Sequence, residues 1–127
     1  MYDQGQGVAQ DYKQAVSWYR KAADQGFANA QTQLGLSYFL GGGVIQDSKQ
    51  ARDWLVKAAL QGDARAMFGM AFVADTKTEQ YAWFNLASAY GYSDARKLRD
   101  GLAKEMTAQQ LAAGQDRIRE LQKLLSQ

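Results

Sequence analysis

The sequence predicts an all-α protein, an array of α/α hairpins closed by a C-terminal capping helix, and three observations carry that prediction. The 127-residue chain has no proline, so nothing interrupts a succession of helices. Residues 2–30 recur as residues 38–66, with more than half of the aligned positions identical and Trp54 standing 36 residues after Trp18. A period of about 20 to 50 residues marks a stacked array, because one hairpin cannot bury its apolar face alone. Each copy also pairs helical apolar spacing with capping residues at one end and glycine at the other.

The elements follow in chain order. Asp11 and Gln14 resemble a capping box and predict a helix over 11–25, closed by Gly26. In such a box the Asp accepts a first-turn N–H and the Gln reaches back. A short helix over 28–40, "ANAQTQLGLSYFL", runs into the turn "GGGVIQD". The same slot reads "GQGVAQD" at 5–11. No Gly-Lys-Ser/Thr follows either copy, so this is a turn between helices and not a phosphate loop. Val44 is expected to plug the core beneath it.

Asp47 and Gln50 open a helix over 47–62, in which Ala51, Trp54, Ala58 and Ala59 form one apolar stripe. Gly62 closes it. "DARAMFGMAFVAD" repeats the short first helix, and a third copy, "EQYAWFNLASAYGYSDA" (79–95), follows. Its Trp83 comes only 29 residues after Trp54, because the glycine turn has been lost. Ser93 is placed as the N-cap of a helix over 93–106. Thr107 and Gln110 form a further capping box, with Leu111, Ile118, Leu121 and Leu125 on one face of the last helix. The expected organisation is a partial repeat (1–27), a repeat (28–63), a shortened repeat (64–92) and capping helices (93–127).

Composition narrows the function. Histidine and cysteine are both absent, which removes disulfides, thiolate nucleophiles, the usual zinc sites and Ser-His-Asp triads. A net charge of +2 from scattered residues argues for neither nucleic acid nor a membrane surface. No apolar run approaches the roughly 20 residues of a membrane span, and the first residues carry no signal-peptide pattern.

The pattern Leu34-Gly35, Tyr38, Gly41-Gly43-Val44, Asp47, Lys49-Gln50-Ala51, Trp54, Ala58-Ala59 and Gly62 resembles the Sel-one-like repeat, a longer-period relative of the tetratricopeptide repeat. The resemblance implies a short right-handed α/α superhelical solenoid with tetratricopeptide-like repeats. It also implies a bacterial adaptor that assembles protein complexes, in envelope, signalling or immunity-type settings, and no cofactor. In this register Met1 aligns with Ser37, inside a first helix. The expectation is therefore that the natural protein extends upstream or uses an internal start. It would be periplasmic if a signal peptide has been removed, and cytoplasmic otherwise. The helix at 11–25 would expose apolar surface, covered by a homodimer through this N-terminal edge.

Tempting chemistry has plainer explanations. Trp18, Trp54 and Trp83 recur at one repeat position and are expected to be core anchors. "GYSDA" echoes a nucleophile elbow, but it follows a helix and lacks a base. Asp75 with Glu79, and the run of Arg96, Lys97 and Arg99, read as solvated helix faces. The positions that point to function come from the tetratricopeptide geometry implied by the resemblance, in which the first helix of each hairpin lines a concave surface. That places Asn29, Thr32, Leu36, Phe39 and Leu40 on one inner face and Arg65, Phe68 and Phe72 on the next. Such a strip suits an apolar helix or an extended segment of a partner protein. The alternatives are a structural module that self-assembles and a hydrolase relying on carboxylates.

Overall fold

The structure is a computed structural model that describes the backbone of residues 6–126 and side chains from residue 11 onward. Among these residues there are seven helices and no strand. They divide into two compact units, with the boundary between Ala58 and Ala59 at the end of the third helix.

The first unit holds α1 (Gln6–Asp24), α2 (Ala28–Leu40) and α3 (Ser48–Ala59). α1 and α2 form a hairpin. Gly26 turns the corner with φ 95°. The Gly26 N–H donates to the Ala23 carbonyl and the Phe27 N–H to that of Ala22. This is a left-handed C-terminal motif that satisfies carbonyls the helix itself leaves unpaired. Gln31 is buried, and its Nε2 donates to the Ala23 carbonyl at 3.3 Å, so the tight turn leaves no lone polar group inside. Val16 and Ala23 of α1 meet the hairpin interior with Ala30, Leu34 and Tyr38 of α2, all buried. The Arg20 guanidinium donates to the Tyr38 hydroxyl and lies over its ring, 5.7 Å from the centroid.

The turn from α2 to α3 passes through φ 78° at Gly41 and 80° at Gly43. It is pinned where the Asp47 N–H donates to the Tyr38 carbonyl at 2.8 Å and Gln46 Nε2 to that of Phe39 at 2.8 Å. Asp47 Oδ1 then accepts from the N–H groups of Lys49 and Gln50 at 3.0 and 3.1 Å, starting α3. Val44, expected to plug the core, is instead only half-buried and lines the surface groove along this turn.

The first-copy turn expected at 5–11 differs. Gly5 and the side chains of 6–10 lie outside the described residues, but the backbone from Gln6 is already helical, and Asp11 lies within α1 instead of capping it. In the second copy the turn depends on its bonds to Tyr38 and Phe39. The counterparts of those anchors, Tyr2 and Asp3, lie outside the described residues, and with no proline in the segment the helix runs on through it.

The second unit holds α4 (Ala64–Val73), α5 (Lys77–Ala89), α6 (Asp94–Ala103) and α7 (Ala108–Leu125). α5 is its centre, burying Tyr81, Ala82, Trp83, Phe84, Leu86 and Ala87 against α4, α6 and α7. Asp63 caps α4 by accepting from the Ala66 N–H at 3.1 Å, and Thr76 caps α5 by accepting from that of Glu79 at 3.2 Å. The capping box at α7 is complete: Thr107 accepts from the Gln110 N–H at 3.1 Å, and Gln110 from the Thr107 N–H at 2.9 Å. Ser93 stands at the N-cap of α6, but in a helical conformation and without a side-chain bond. The extended backbone that aims a hydroxyl at the first-turn N–H groups is missing there.

α7 is held to α5 at three points. Gly114 sits against the Tyr81 ring, where an added Cβ would come within 2.7 Å of Cδ1. Gln115 Nε2 donates to the Tyr81 hydroxyl at 2.9 Å, and Arg117 Nε meets Glu79 Oε1 at 2.5 Å. Ile118 and Leu121 are buried along the same face.

The tryptophans do not behave as one set. Trp83 is 1% exposed, Trp54 is half-buried and Trp18 is 69% exposed. Only Trp83 is a core anchor. In α1 the inward residue is Val16, and a residue two positions on lies about 200° round a helix of 3.6 residues per turn, so Trp18 points away. In α3 the position after Trp54, Leu55, takes the core place at 0% exposure, between Ala51 and Ala58. Trp18 and Trp54 instead rest under ammonium groups, Lys21 at 5.0 Å and Lys57 at 4.7 Å from the ring centroids.

Candidate partner-binding surfaces

Two apolar surfaces stand out, one in each unit. In the first, α1 contributes Tyr12, Ala15, Val16 and Tyr19, and α2 contributes Gln33, Leu36, Ser37 and Leu40. Both sets follow the i, i+3, i+4, i+7 spacing of a single helix face. Between them runs a groove of about 280 Å³. It continues past Tyr12 and Gly42 along the glycine turn to Ile45, which is 91% exposed. Leu40 is 74% exposed and Tyr12 55%, and contiguous exposed apolar surface of this kind marks interaction sites.

In the second unit four rings cluster. The Phe68 ring stacks on Tyr92 with centroids 4.4 Å apart, and Phe72 meets Phe68 edge-on at 5.0 Å and Phe84 edge-on at 5.7 Å. Phe84 is buried, Phe68 half-buried and Phe72 48% exposed. The cluster presents one ring edge to solvent and holds it from beneath, the arrangement aromatic quadrupoles favour.

The eight residues expected to meet a partner divide accordingly. Leu36 and Leu40 line the first groove, and Phe68 and Phe72 belong to the ring cluster, with Arg65 exposed on the same helix. Asn29 is exposed and Phe39 half-buried, but neither lines the groove. Thr32 is a correction: it is 0% exposed and its hydroxyl donates to the Ala28 carbonyl at 3.0 Å, so it belongs to the hairpin interior. Residue spacing cannot separate a polar residue that faces a partner from one that back-bonds within its own helix.

Tyr12, Ala15, Tyr19 and Ile45 were not anticipated, and neither were the ring partners Phe84 and Tyr92. A signal for the α1 residues existed, since Ala15 and Tyr19 occupy the repeat positions of Ala51 and Leu55.

Other candidate chemistry is engaged structurally. Glu79 pairs with Arg117, and Arg99 donates to Asn85 Oδ1 at 2.9 Å and to Asp100. Among the described residues no group of three or more acidic, cysteine or histidine side chains is placed to hold a metal ion. No described helix is long and apolar enough to cross a membrane.

Paired helices on a 36-residue period, carrying apolar grooves, define an α-helical repeat protein. The chain is a Sel1-repeat protein: the Sel1 repeat model matches residues 1–27 and 28–63. Its structure is similar to that of c5321, a protective antigen present in uropathogenic Escherichia coli strains displaying an SLR fold. That match has a TM-score of 0.84 and 30% identity, covering 89% of this chain and 26% of the other. It is also similar to a Sel1 repeat protein from Oxalobacter formigenes, with a TM-score of 0.60 and 37% identity over 65% of this chain and 37% of that one. The chain thus spans about a quarter and somewhat over a third of these two relatives. No curated protein matches it. The Sel1 repeat fold is commonly a protein–protein interaction module, and its members are typically non-enzymatic scaffolds.

Proposed function

We propose that this chain is an adaptor that binds a partner protein through the ring cluster of its second unit, with Phe72 as the anchor and Arg65 exposed two turns away on the same helix. The observation that carries this reading is the half-exposure of Phe72 on rings that hold it in place. A held aromatic loses little rotamer freedom on binding, so more of its contact energy appears as affinity. An apolar helix or extended segment is the chemistry such a ring edge accepts. Both solved relatives are bacterial, which supports a bacterial setting.

The test is affinity capture with Phe72→Ala beside Phe84→Ala. The first is expected to lose the partner with only a small drop in melting temperature, and the second to lose far more stability because Phe84 is buried. Capture that survives Phe72→Ala would sink the reading.

A further inference from the structure

The rings of the second unit share their surface with two arginines. Arg65, Phe68 and Phe72 fall within about 60° of one another round α4, and Arg65 is exposed at its N-terminal end. Arg96 follows Tyr92 by four residues, the spacing that puts two side chains on one side of a helix. The entry to α6 keeps that spacing: Ser93 is already helical, and the Ala95 and Arg96 N–H groups donate back to the Tyr92 and Ser93 carbonyls.

The connections 74–76 and 90–93 are short, which makes α4 and α6 each antiparallel to α5 and so directs them the same way. Phe68 stacks on Tyr92, and one turn further along the two helices stand Phe72 and Arg96. They are neighbours across one helix spacing of about 8–10 Å. Arg96 is exposed, and its side chain makes no hydrogen bond or ion pair with a described residue. The carboxylates nearby are placed otherwise. Asp63 caps α4, Asp100 is paired with Arg99, and Asp75 lies beyond the end of α4. Asp94 is two residues from both Tyr92 and Arg96, about 200° round the helix from each.

We propose that this face takes an extended segment of a partner protein in which an apolar residue and an aspartate or glutamate are separated by one residue. The apolar side chain covers Phe72, and the carboxylate meets Arg96. The proposal rests on the reading of the ring cluster as the partner site, and it adds the sequence pattern of the partner. Alternate residues of a strand point the same way about 6.6 Å apart, at about 3.3 Å per residue, and the long arginine side chain closes the remaining distance. A docking helix would need a row of apolar anchors at i, i+3, i+4 and i+7, whereas Phe72 is the one ring here that is largely exposed. Its outward edge is the positive end of the ring quadrupole, so it too favours an acidic neighbour over a basic one.

The probes are the capped peptide Gly-Ser-Leu-Ser-Asp-Ser-Gly and the same peptide with asparagine for aspartate, each titrated into the isotope-labelled chain at low salt. The aspartate peptide is expected to move the ring signals of Phe72 and the Nε–H signal of Arg96. It should bind about threefold more tightly than the asparagine peptide, the weight of an exposed ion pair. That preference should fade in about 1 M salt, where the Debye length is about 3 Å. Arg96→Gln should abolish it while melting with the parent chain, because Arg96 is exposed and bonds to nothing described.

Equal affinity for the two peptides overturns the proposal, as does a preference that survives Arg96→Gln. So does a single-stranded oligothymidylate that moves the same signals at lower concentration, which would assign the face to nucleic acid. If both peptides bind equally and Phe72→Ala weakens both by at least about tenfold, the ring site stands and its acidic partner residue alone is struck. If neither peptide moves the Phe72 signals, this pattern is wrong, and Phe72-dependent capture remains the separate test of the ring site.

Discussion

Gly35 on α2 lies against Leu55 on α3 at a distance that only a residue without a side chain allows. The leucine is wholly buried and the Ala51 carbonyl stands behind it, so neither neighbour can yield. Gly35→Ala should therefore cost about 1–3 kcal/mol, the range for overpacking a filled core. Urea unfolding would show this as a lower midpoint at unchanged slope. In a Leu55→Ala background the same change should cost less, because the two residues share one space. Equal costs in both backgrounds would show that the contact is not the cause.

Gly26 and Gly43 separate backbone strain from crowding. Both have positive φ, 95° and 80°, but a Cβ at Gly26 meets nothing within 4 Å, whereas one at Gly43 lies 2.6 Å from the Tyr12 carbonyl oxygen. Gly26→Ala should cost about 1–2 kcal/mol, the left-handed penalty alone. Gly43→Ala should exceed it by at least about 1 kcal/mol, since α1 has to move as well. Thermal unfolding of the two variants side by side tests the order.

Two tryptophans at one repeat position should respond in opposite ways. Trp83→Ala is expected to cost about 3–5 kcal/mol, because its indole is buried in the second unit. Trp18→Ala should fall within about 0.5 kcal/mol of wild type, since the ring is 69% exposed. In a variant that keeps only Trp18, iodide should quench the fluorescence strongly. Keeping only Trp83 should leave it nearly untouched.

The ion pair between Glu79 and Arg117 joins α5 to α7 with both side chains 33% exposed. Partial exposure limits its worth, and a double-mutant cycle with Glu79→Gln and Arg117→Met should return a coupling of about 0.5–1 kcal/mol. The coupling should shrink in molar salt, where the Debye length falls to about 3 Å. A coupling indifferent to salt would point to packing of the side-chain stems instead.

Much of the fold was legible because its signals are local. Asp47, Thr107 with Gln110, and the glycines at 26 and 62 act within one turn of where they stand, so reading neighbouring residues places the helix ends. The candidate surfaces were less legible. Leu36, Leu40, Phe68 and Phe72 were visible as apolar residues on first helices, yet the same pattern put Thr32 on the surface, where the structure buries it. The partners that complete each surface, Tyr19 for the groove and Phe84 and Tyr92 for the rings, come from other parts of the chain, beyond the reach of a helical period.

The sequence by itself determined the repeat, the family, the all-α architecture and most helix boundaries, because each is written in short-range spacing and in the conformational needs of glycine and capping residues. Only the tertiary structure decided which of three equivalent tryptophans is core. Identical repeat positions also met different surroundings, with Leu55 sealed under α2 and Tyr19 left open in a groove. Burial depends on what arrives from elsewhere in the chain, and a repeat pattern is silent about what stands opposite each of its copies.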